Sequence, residues 1–347
     1  MMSNTQKKRL DWVDAAKGMS ILLVALYHIG LYLEHAAFSA RFIVAINTLL
    51  LPIRMPVFFV ASGIFARSAI NKEWGIVARD RVAFYFYLFL VWSLIRFAFF
   101  GFVTPNTRNF SEGSDLLWLV KSFLIPETGA WFLWALGLFF LVTKALRGVN
   151  PRYVLVAAAT VSMLGYSGSL GVAFTHENLF KYFFFFYGAC YCREALEQLQ
   201  KTPVLSTFLG GCLFALLSVI AYKSQSYWID GPALFISAIA SVCAVSTICF
   251  LVQETVVSRS FAYLGSHTLP IYVVHVMVVV SCISIAIAAE WPRSEFWTVV
   301  LCGLTLALAI GVPLLVERLM DFLGLSRFLF RLPTGRKLPT VGQVHRA

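Results

Sequence analysis

Asp11-Trp12-Val13-Asp14-Ala15-Ala16-Lys17-Gly18-Met19-Ser20-Ile21-Leu22-Leu23-Val24-Ala25-Leu26-Tyr27-His28 opens the first apolar run of the chain. Read as a helix, Lys17 and His28 come within about 20° of one face and are separated by about 16 Å along the axis. A cation near one surface of an apolar layer and an imidazole well inside it therefore share one stripe. Titratable groups are costly to place in lipid, so a His within a span is a functional-site candidate by default. The alternative is an imidazole hydrogen-bonded to a neighbouring helix for packing alone. Asp14 stands three residues before Lys17 on the same side. It is placed either to pair with the lysine or, with Asp11, to cap the helix.

Working outward, the composition repeats this pattern along nearly the whole chain. Of 347 residues, 59% are hydrophobic and 13% charged, against about 25% charged in soluble domains. Runs long enough to cross a bilayer core recur at about 16–36, 43–66, 82–103, 130–146, 153–171, 179–192, 204–222, 231–252, 269–289 and 296–316. The expected fold is an all-α polytopic integral membrane protein of about ten transmembrane helices. The membrane domain is expected over residues 1–325 and a basic cytoplasmic tail over 326–347. The sixth run is short. Leu116–Ile125 is apolar for only ten residues and is expected to be interfacial or re-entrant. The loop Thr104–Ala130, with Asn106, Arg108, Glu112, Asp115, Lys121 and Glu127, is long enough to be a lid or an acceptor-binding surface.

A net charge of +11 invites a nucleic-acid reading, and its distribution excludes one. With the N-terminus inside and ten spans, 19 of the 28 Lys and Arg fall on the cytoplasmic side: Lys7 to Arg9, Arg67 to Arg81, Lys144 to Arg152, Arg193, Lys201, Arg259 and the six from Arg318 to Arg346. That asymmetry is the positive-inside rule, and it places both termini in the cytoplasm. The first apolar run lacks a small-residue cleavage pattern and is expected to be retained as a span. The seven cysteines make no metal-ligand spacing, so no metal site and no disulfide framework is expected.

The ionisable residues within the runs are few: Lys17, His28, Arg54, Arg96, Lys181 and His275. Buried charges must face the protein interior or a wet cavity. Four cations and two imidazoles with almost no carboxylate suit an anionic ligand such as a phosphate. They do not suit a proton relay or a cation pathway. No internal repeat is detectable, which weighs against a secondary transporter. Three local patterns accompany these residues. Met55-Pro56-Val57-Phe58-Phe59-Val60-Ala61-Ser62-Gly63 puts a helix-perturbing Pro and a close-approach Gly in one span. Leu264-Gly265-Ser266-His267-Thr268-Leu269-Pro270-Ile271-Tyr272-Val273-Val274-His275 opens another, with Tyr272 and His275 on one face. Glu127-Thr128-Gly129-Ala130-Trp131-Phe132-Leu133 opens the fourth.

Together these motifs resemble acyltransferase family 3, the integral-membrane O-acyltransferases that modify sugars and other hydroxyl compounds. The resemblance spans most of the chain and rests on Lys17 and His28 with ten residues between them, on Phe58-Phe59…Ser62-Gly63, on Trp131-Phe132-Leu133, and on Leu264-Gly265-Ser266…Ile271-Tyr272…His275. Two departures stand out. The family's first basic residue is more often Arg, and Lys17 offers a point charge without a bidentate fork. The family's Arg-x-x-Arg followed by Pro is here Arg79-Asp80-Arg81 without the proline.

The resemblance implies transfer of an acyl group, usually acetyl, from cytoplasmic acyl-CoA to a hydroxyl of an extracytoplasmic or lipid-linked sugar. Membrane lipid and a carbohydrate acceptor would be its partners and the bacterial inner membrane its location. It implies His28 as general base and Asp14 as orienter of Lys17. Lys17, Arg79 and Arg81 would bind the CoA phosphates, with Ser62 on the cofactor side. Arg54, Tyr272 and His275 remain equal candidates for stabilising the thioester oxyanion. A transporter or flippase for an anionic or lipid-linked sugar is the first rival, and a non-catalytic membrane scaffold the second.

Overall fold

The opening run forms one helix, α1 (Asn4–His35), long enough to cross a bilayer on its own. The computed structural model describes residues 4–102, 115–224 and 226–332. Leu50 then breaks the second predicted run into α2 (Arg41–Leu49) and α3 (Leu51–Ile70). Pro52 explains the restart: it lacks an N–H, and the first turn of a helix needs none. The third span begins with α4 (Trp74–Val77), passes through a π-helical segment (Ala78–Ala83) and continues as α5 (Phe84–Phe102). A short helix, α6 (Leu116–Lys121), capped by the Asp115 carboxylate on the Leu117 N–H, occupies the segment expected to be interfacial. Asn106, Arg108 and Glu112 of the predicted lid lie outside the described residues.

The chain goes on through α7 (Trp131–Ala145), α8 (Pro151–Tyr166), α9 (Phe174–Tyr191) and α10 (Arg193–Leu199). After these come α11 (Pro203–Ser224), α12 (Tyr227–Leu251), α13 (Val256–Ser266), α14 (Thr268–Ala288), α15 (Glu295–Phe322) and α16 (Ser326–Leu329). No strand occurs among the described residues. All ten predicted runs are helical, and eight of the helices among the described residues are long and apolar enough to cross a membrane. The other two are the fifth and sixth. Helix α8 has 16 residues, about 24 Å and short of the ~30 Å hydrocarbon core, and the first turns of α9 carry His176, Glu177, Asn178 and Lys181. The protein is a polytopic all-α integral membrane protein.

Helix α1 runs through the centre and packs on α3, α12, α13, α14 and α15. Two glycines set its closest crossing. A β-carbon on Gly18 would stand 1.8 Å from the Phe261 carbonyl oxygen, and one on Gly265 would stand 1.8 Å from that of Asp14. The Lys17-Gly18 and Leu264-Gly265 motifs are thus two halves of one backbone-to-backbone contact, the use membrane helices make of small residues. Gly63 repeats the device between α3 and α9, where a β-carbon would lie 2.3 Å from the Phe186 carbonyl oxygen. By contrast α11 buries only Gly210 among its residues and packs chiefly on α12, which leaves it lining the lipid.

The bundle continues past the expected boundary at residue 325. Tyr87 Oη and Trp92 Nε1 donate to the carbonyls of Phe328 and Leu329, and Phe330 is buried against Trp92. Residues 333–347 of the predicted tail lie outside the described residues. Lys17, Phe65 and the α3 C-terminus share one end of the bundle, here the near end. His35, Arg41 and Tyr227 lie at the far end.

Candidate functional site

His28 and His275 meet in the interior. His275 Nε2 is 3.2 Å from His28 Nδ1, and the rings are edge-on at 5.0 Å. His275 is wholly buried, whereas His28 is partly accessible. Their other contacts assign the protons. A carbonyl oxygen only accepts, so the nitrogen facing it must carry hydrogen. His275 Nδ1 faces the carbonyls of Ile271 and Tyr272 at 3.0 and 2.8 Å, so its Nε2 holds the lone pair in the neutral ring. His28 Nδ1 faces the Val24 carbonyl at 2.9 Å. It therefore donates, shared between Val24 and His275 Nε2. The nitrogen of His28 left with a lone pair is Nε2. The arrangement is a donor–acceptor chain that ends in one free imidazole nitrogen.

Arginines flank the pair. Arg54 lies with its guanidinium carbon 4.1 Å from the centre of the Tyr27 ring, and Tyr27 is edge-on to His28 at 5.2 Å. Arg54 is buried, and its Nη1 has no hydrogen-bond partner among the described residues. Arg96 is buried over the Phe100 ring. Gly129 makes room for it: a β-carbon there would meet Arg96 Nη2 at 2.7 Å. The Glu127-Thr128-Gly129 pattern at the start of α7 thereby admits a guanidinium into the core.

Tyr272 is held by the next residues of that motif. Its Oη accepts the Phe132 N–H at 3.0 Å, the donor that opens the first turn of α7. The Tyr272 hydroxyl hydrogen remains available for another acceptor. Phe132, Phe58, Phe59, Trp131 and Tyr182 form the aromatic wall behind it, with Tyr182 stacked on Phe59 at 5.4 Å and on Trp131 at 6.2 Å.

The remaining candidates lie at the near end. Lys17 Nζ is 2.8 Å from Asp14 Oδ1 and 4.9 Å from the centre of the Phe65 ring, with both partners of the ion pair largely buried. Arg79 pairs with Asp80 at 2.7 Å on an exposed surface, and Arg81 stands 5.8 Å from the Phe140 ring. Ser62 donates to the Phe58 carbonyl of its own helix at 2.9 Å. The candidates thus fall into two groups. His28, His275 and Tyr272 are neighbours in the interior, with Arg54 reaching His28 across the Tyr27 ring, whereas Lys17 with Asp14, and Arg79 with Arg81, mark the near end. Sequence reading missed Tyr182 and Asn47, whose amide donates to the Leu26 carbonyl and fixes α2 against α1. A lone Asn or Tyr in an apolar run carries no spacing signal to find it by.

No group of three or more potential metal ligands gathers among the described residues. Residues 10–316 match the model of the family described as acyltransferase domain, Acyl_transf_3. The chain is also similar to inner membrane protein YcfT of Escherichia coli strain K12, 24% identical over 314 residues, covering 84% of this chain and 85% of the relative. No solved structure matches the chain.

Proposed function

The chain belongs to the acyltransferase family whose model spans residues 10–316, an integral-membrane acyltransferase, and from that premise we propose that it moves an acyl group, acetyl in the first instance, from cytoplasmic acyl-CoA to a hydroxyl of a sugar on the far side of the bacterial inner membrane. The observation that carries this reading is the His28–His275 pair, whose hydrogen bonds leave His28 Nε2 as the nitrogen of the pair with an uncommitted lone pair.

Both termini are cytoplasmic in this reading, so the near end faces the acyl donor. Lys17, Arg79 and Arg81 gather the CoA phosphates there. The pantetheine arm then follows α1 over the ~16 Å between Lys17 and His28. His28 Nε2 removes the acceptor hydroxyl proton as that oxygen attacks the thioester carbonyl. The tetrahedral oxyanion forms beside Arg54, whose Nη1–H is a buried donor with no hydrogen-bond partner among the described residues. Collapse breaks the carbon–sulfur bond, the ester forms, and the proton held on His28 passes to the departing CoA thiolate. His275 accepts the His28 Nδ1–H throughout and so keeps Nε2 turned to the substrates. His275 is a positioning residue in this scheme, and Tyr272 Oη–H is a second donor near the carbonyl.

The test is thiol release from acetyl-CoA by purified protein in nanodiscs, wild type beside His28→Ala, with a panel of sugar acceptors. Turnover that disappears in the variant while the fold and acyl-CoA binding persist is the expected result. An active His28→Ala protein overturns the base assignment. Movement of a labelled sugar across vesicles without acyl-CoA favours the transporter instead.

A further inference from the structure

A cavity of about 980 Å³ opens at the far end, between α2, the start of α3 and the adjoining ends of α11 and α12. Its walls are apolar, with Val44, Leu51 and Leu234 among them. Its charged lining is acidic on balance: Glu34 and Asp230 against the one cation Arg41. Tyr166 also lines it. That side chain is 7% exposed, and its buried hydroxyl has no hydrogen-bond partner among the described residues. A buried hydroxyl left unpaired is destabilising by about 1–3 kcal/mol, so its presence on a cavity wall marks a place where a ligand completes the bond. Lys181 lies 5.9 Å from the Tyr166 ring but is paired with Glu177 at 2.6 Å, so it adds no uncompensated cation.

The cavity lies beside the site, one layer of aromatic side chains away. Tyr166 packs edge-on to Tyr182 at 6.2 Å, and Tyr182 stacks on Trp131 of the aromatic wall. Glu34 follows His28 by six residues of α1, about 9 Å along the axis. Pro52, which lines the cavity, is two residues from Arg54.

We propose that this cavity binds the acyl acceptor, as an uncharged, hydroxyl-rich headgroup on an apolar chain: a neutral glycolipid. The proposal rests on the acyl-transfer reading and names its acceptor class. The apolar walls bury the chain. Carboxylates and tyrosine hydroxyls are the groups that pair with sugar hydroxyls, and tyrosine rings offer faces for the sugar ring to lie on. A phosphate headgroup is disfavoured, because two carboxylates oppose a single guanidinium. The acyl-transfer reading assigns the anionic donor to the near end, and this cavity, acidic on balance, suits a neutral acceptor at the opposite end.

The experiment uses the full chain in nanodiscs and a decyl maltoside that carries a diazirine in its alkyl chain, with labelled peptides located by mass spectrometry. Labelling is expected on α2 and on the adjoining ends of α11 and α12, competed by unmodified decyl maltoside and not by decyl phosphate. Tyr166→Phe should reduce it about fivefold, the worth of one hydrogen bond. Ala45→Trp, which puts a bulky ring on the cavity wall, should abolish it. Equal competition by decyl phosphate, or labelling spread along lipid-facing α11 and indifferent to Ala45→Trp, would mean annular lipid only and overturn the proposal. Specific labelling of a protein that turns over no acyl-CoA upholds the cavity and removes the acyl-transfer reading alone.

Discussion

His28 and His275, 247 residues apart in the chain, share one hydrogen bond of 3.2 Å in which His28 Nδ1 donates and His275 Nε2 accepts. Backbone carbonyls on both sides dictate that direction: Val24 holds the His28 proton, while Ile271 and Tyr272 hold that of His275. A helix backbone thereby selects the tautomer that leaves His28 Nε2 free.

His28→Ala and His28→Gln should each lower kcat by about 10²–10⁴-fold, the range for loss of a positioned base. Acyl-CoA affinity should stay within a few-fold of wild type, because Lys17, the proposed phosphate contact on the same helix, lies about 16 Å away along α1. Single-turnover thiol release and equilibrium binding of a non-hydrolysable acyl-CoA check the two halves. Weakened binding with unchanged turnover of bound donor would contradict the role.

In the proposed scheme His275 acts through His28 and not on the substrates. His275→Ala should cut kcat by about 10–100-fold, as loss of a partner that orients a functional His typically does, and leave KM nearly unchanged. Histidine 15N spectra provide a readout that packing alone would not move. His28 should show a protonated Nδ1 in the wild type and a mixture of tautomers in His275→Ala. His275→Gln, which can place an amide oxygen opposite His28 Nδ1–H, should recover part of the rate.

Gly18 and Gly265 were legible in the sequence as parts of motifs but not as partners of each other. Their pairing follows from a helix crossing that no local pattern specifies. Val256–Ser266 is too short to span a membrane, yet it lies flush against α1 because both glycines lack a β-carbon. The all-helical, membrane-embedded fold was legible because run length and charge asymmetry are local quantities. The break at Leu50 was less so, since Leu51 and Pro52 continue an apolar run whose hydropathy does not register a change of direction. His28, His275 and Arg54 stood out because charge in lipid is rare. Tyr166 did not, because a tyrosine near the end of a span reads as an interface anchor.

Gly265→Ala should destabilise the protein by about 1–3 kcal/mol, the cost of overpacking a close contact, because the added carbon would stand 1.8 Å from the Asp14 carbonyl oxygen. The backbone shift that relieves the clash displaces the α1 turn carrying Asp14 and Lys17. Acyl-CoA affinity should therefore fall together with thermal stability. Unfolding in detergent, followed by intrinsic fluorescence, measures the first. A Gly211→Ala control, at a position where a β-carbon meets nothing within 4 Å, should leave both unchanged.

Asp14 and Lys17 form a largely buried ion pair, and removing one member of such a pair commonly destabilises by about 3–5 kcal/mol because the other charge is left uncompensated. Asp14→Asn alone should therefore be less stable than the double variant Asp14→Asn/Lys17→Met, in which no buried charge remains. Donor binding sorts the two roles the lysine carries. If Lys17 meets CoA phosphates, both Lys17→Met proteins lose affinity for acyl-CoA, whereas Asp14→Asn, with the ammonium freed from its partner, keeps or gains affinity in whatever fraction stays folded. If the pair serves packing alone, affinity follows stability, and the double variant binds acyl-CoA better than Asp14→Asn. A double-mutant cycle on both quantities, unfolding and acyl-CoA binding, separates these outcomes. Opposite signs of the coupling in the two cycles would identify Lys17 as a ligand contact that Asp14 holds in place.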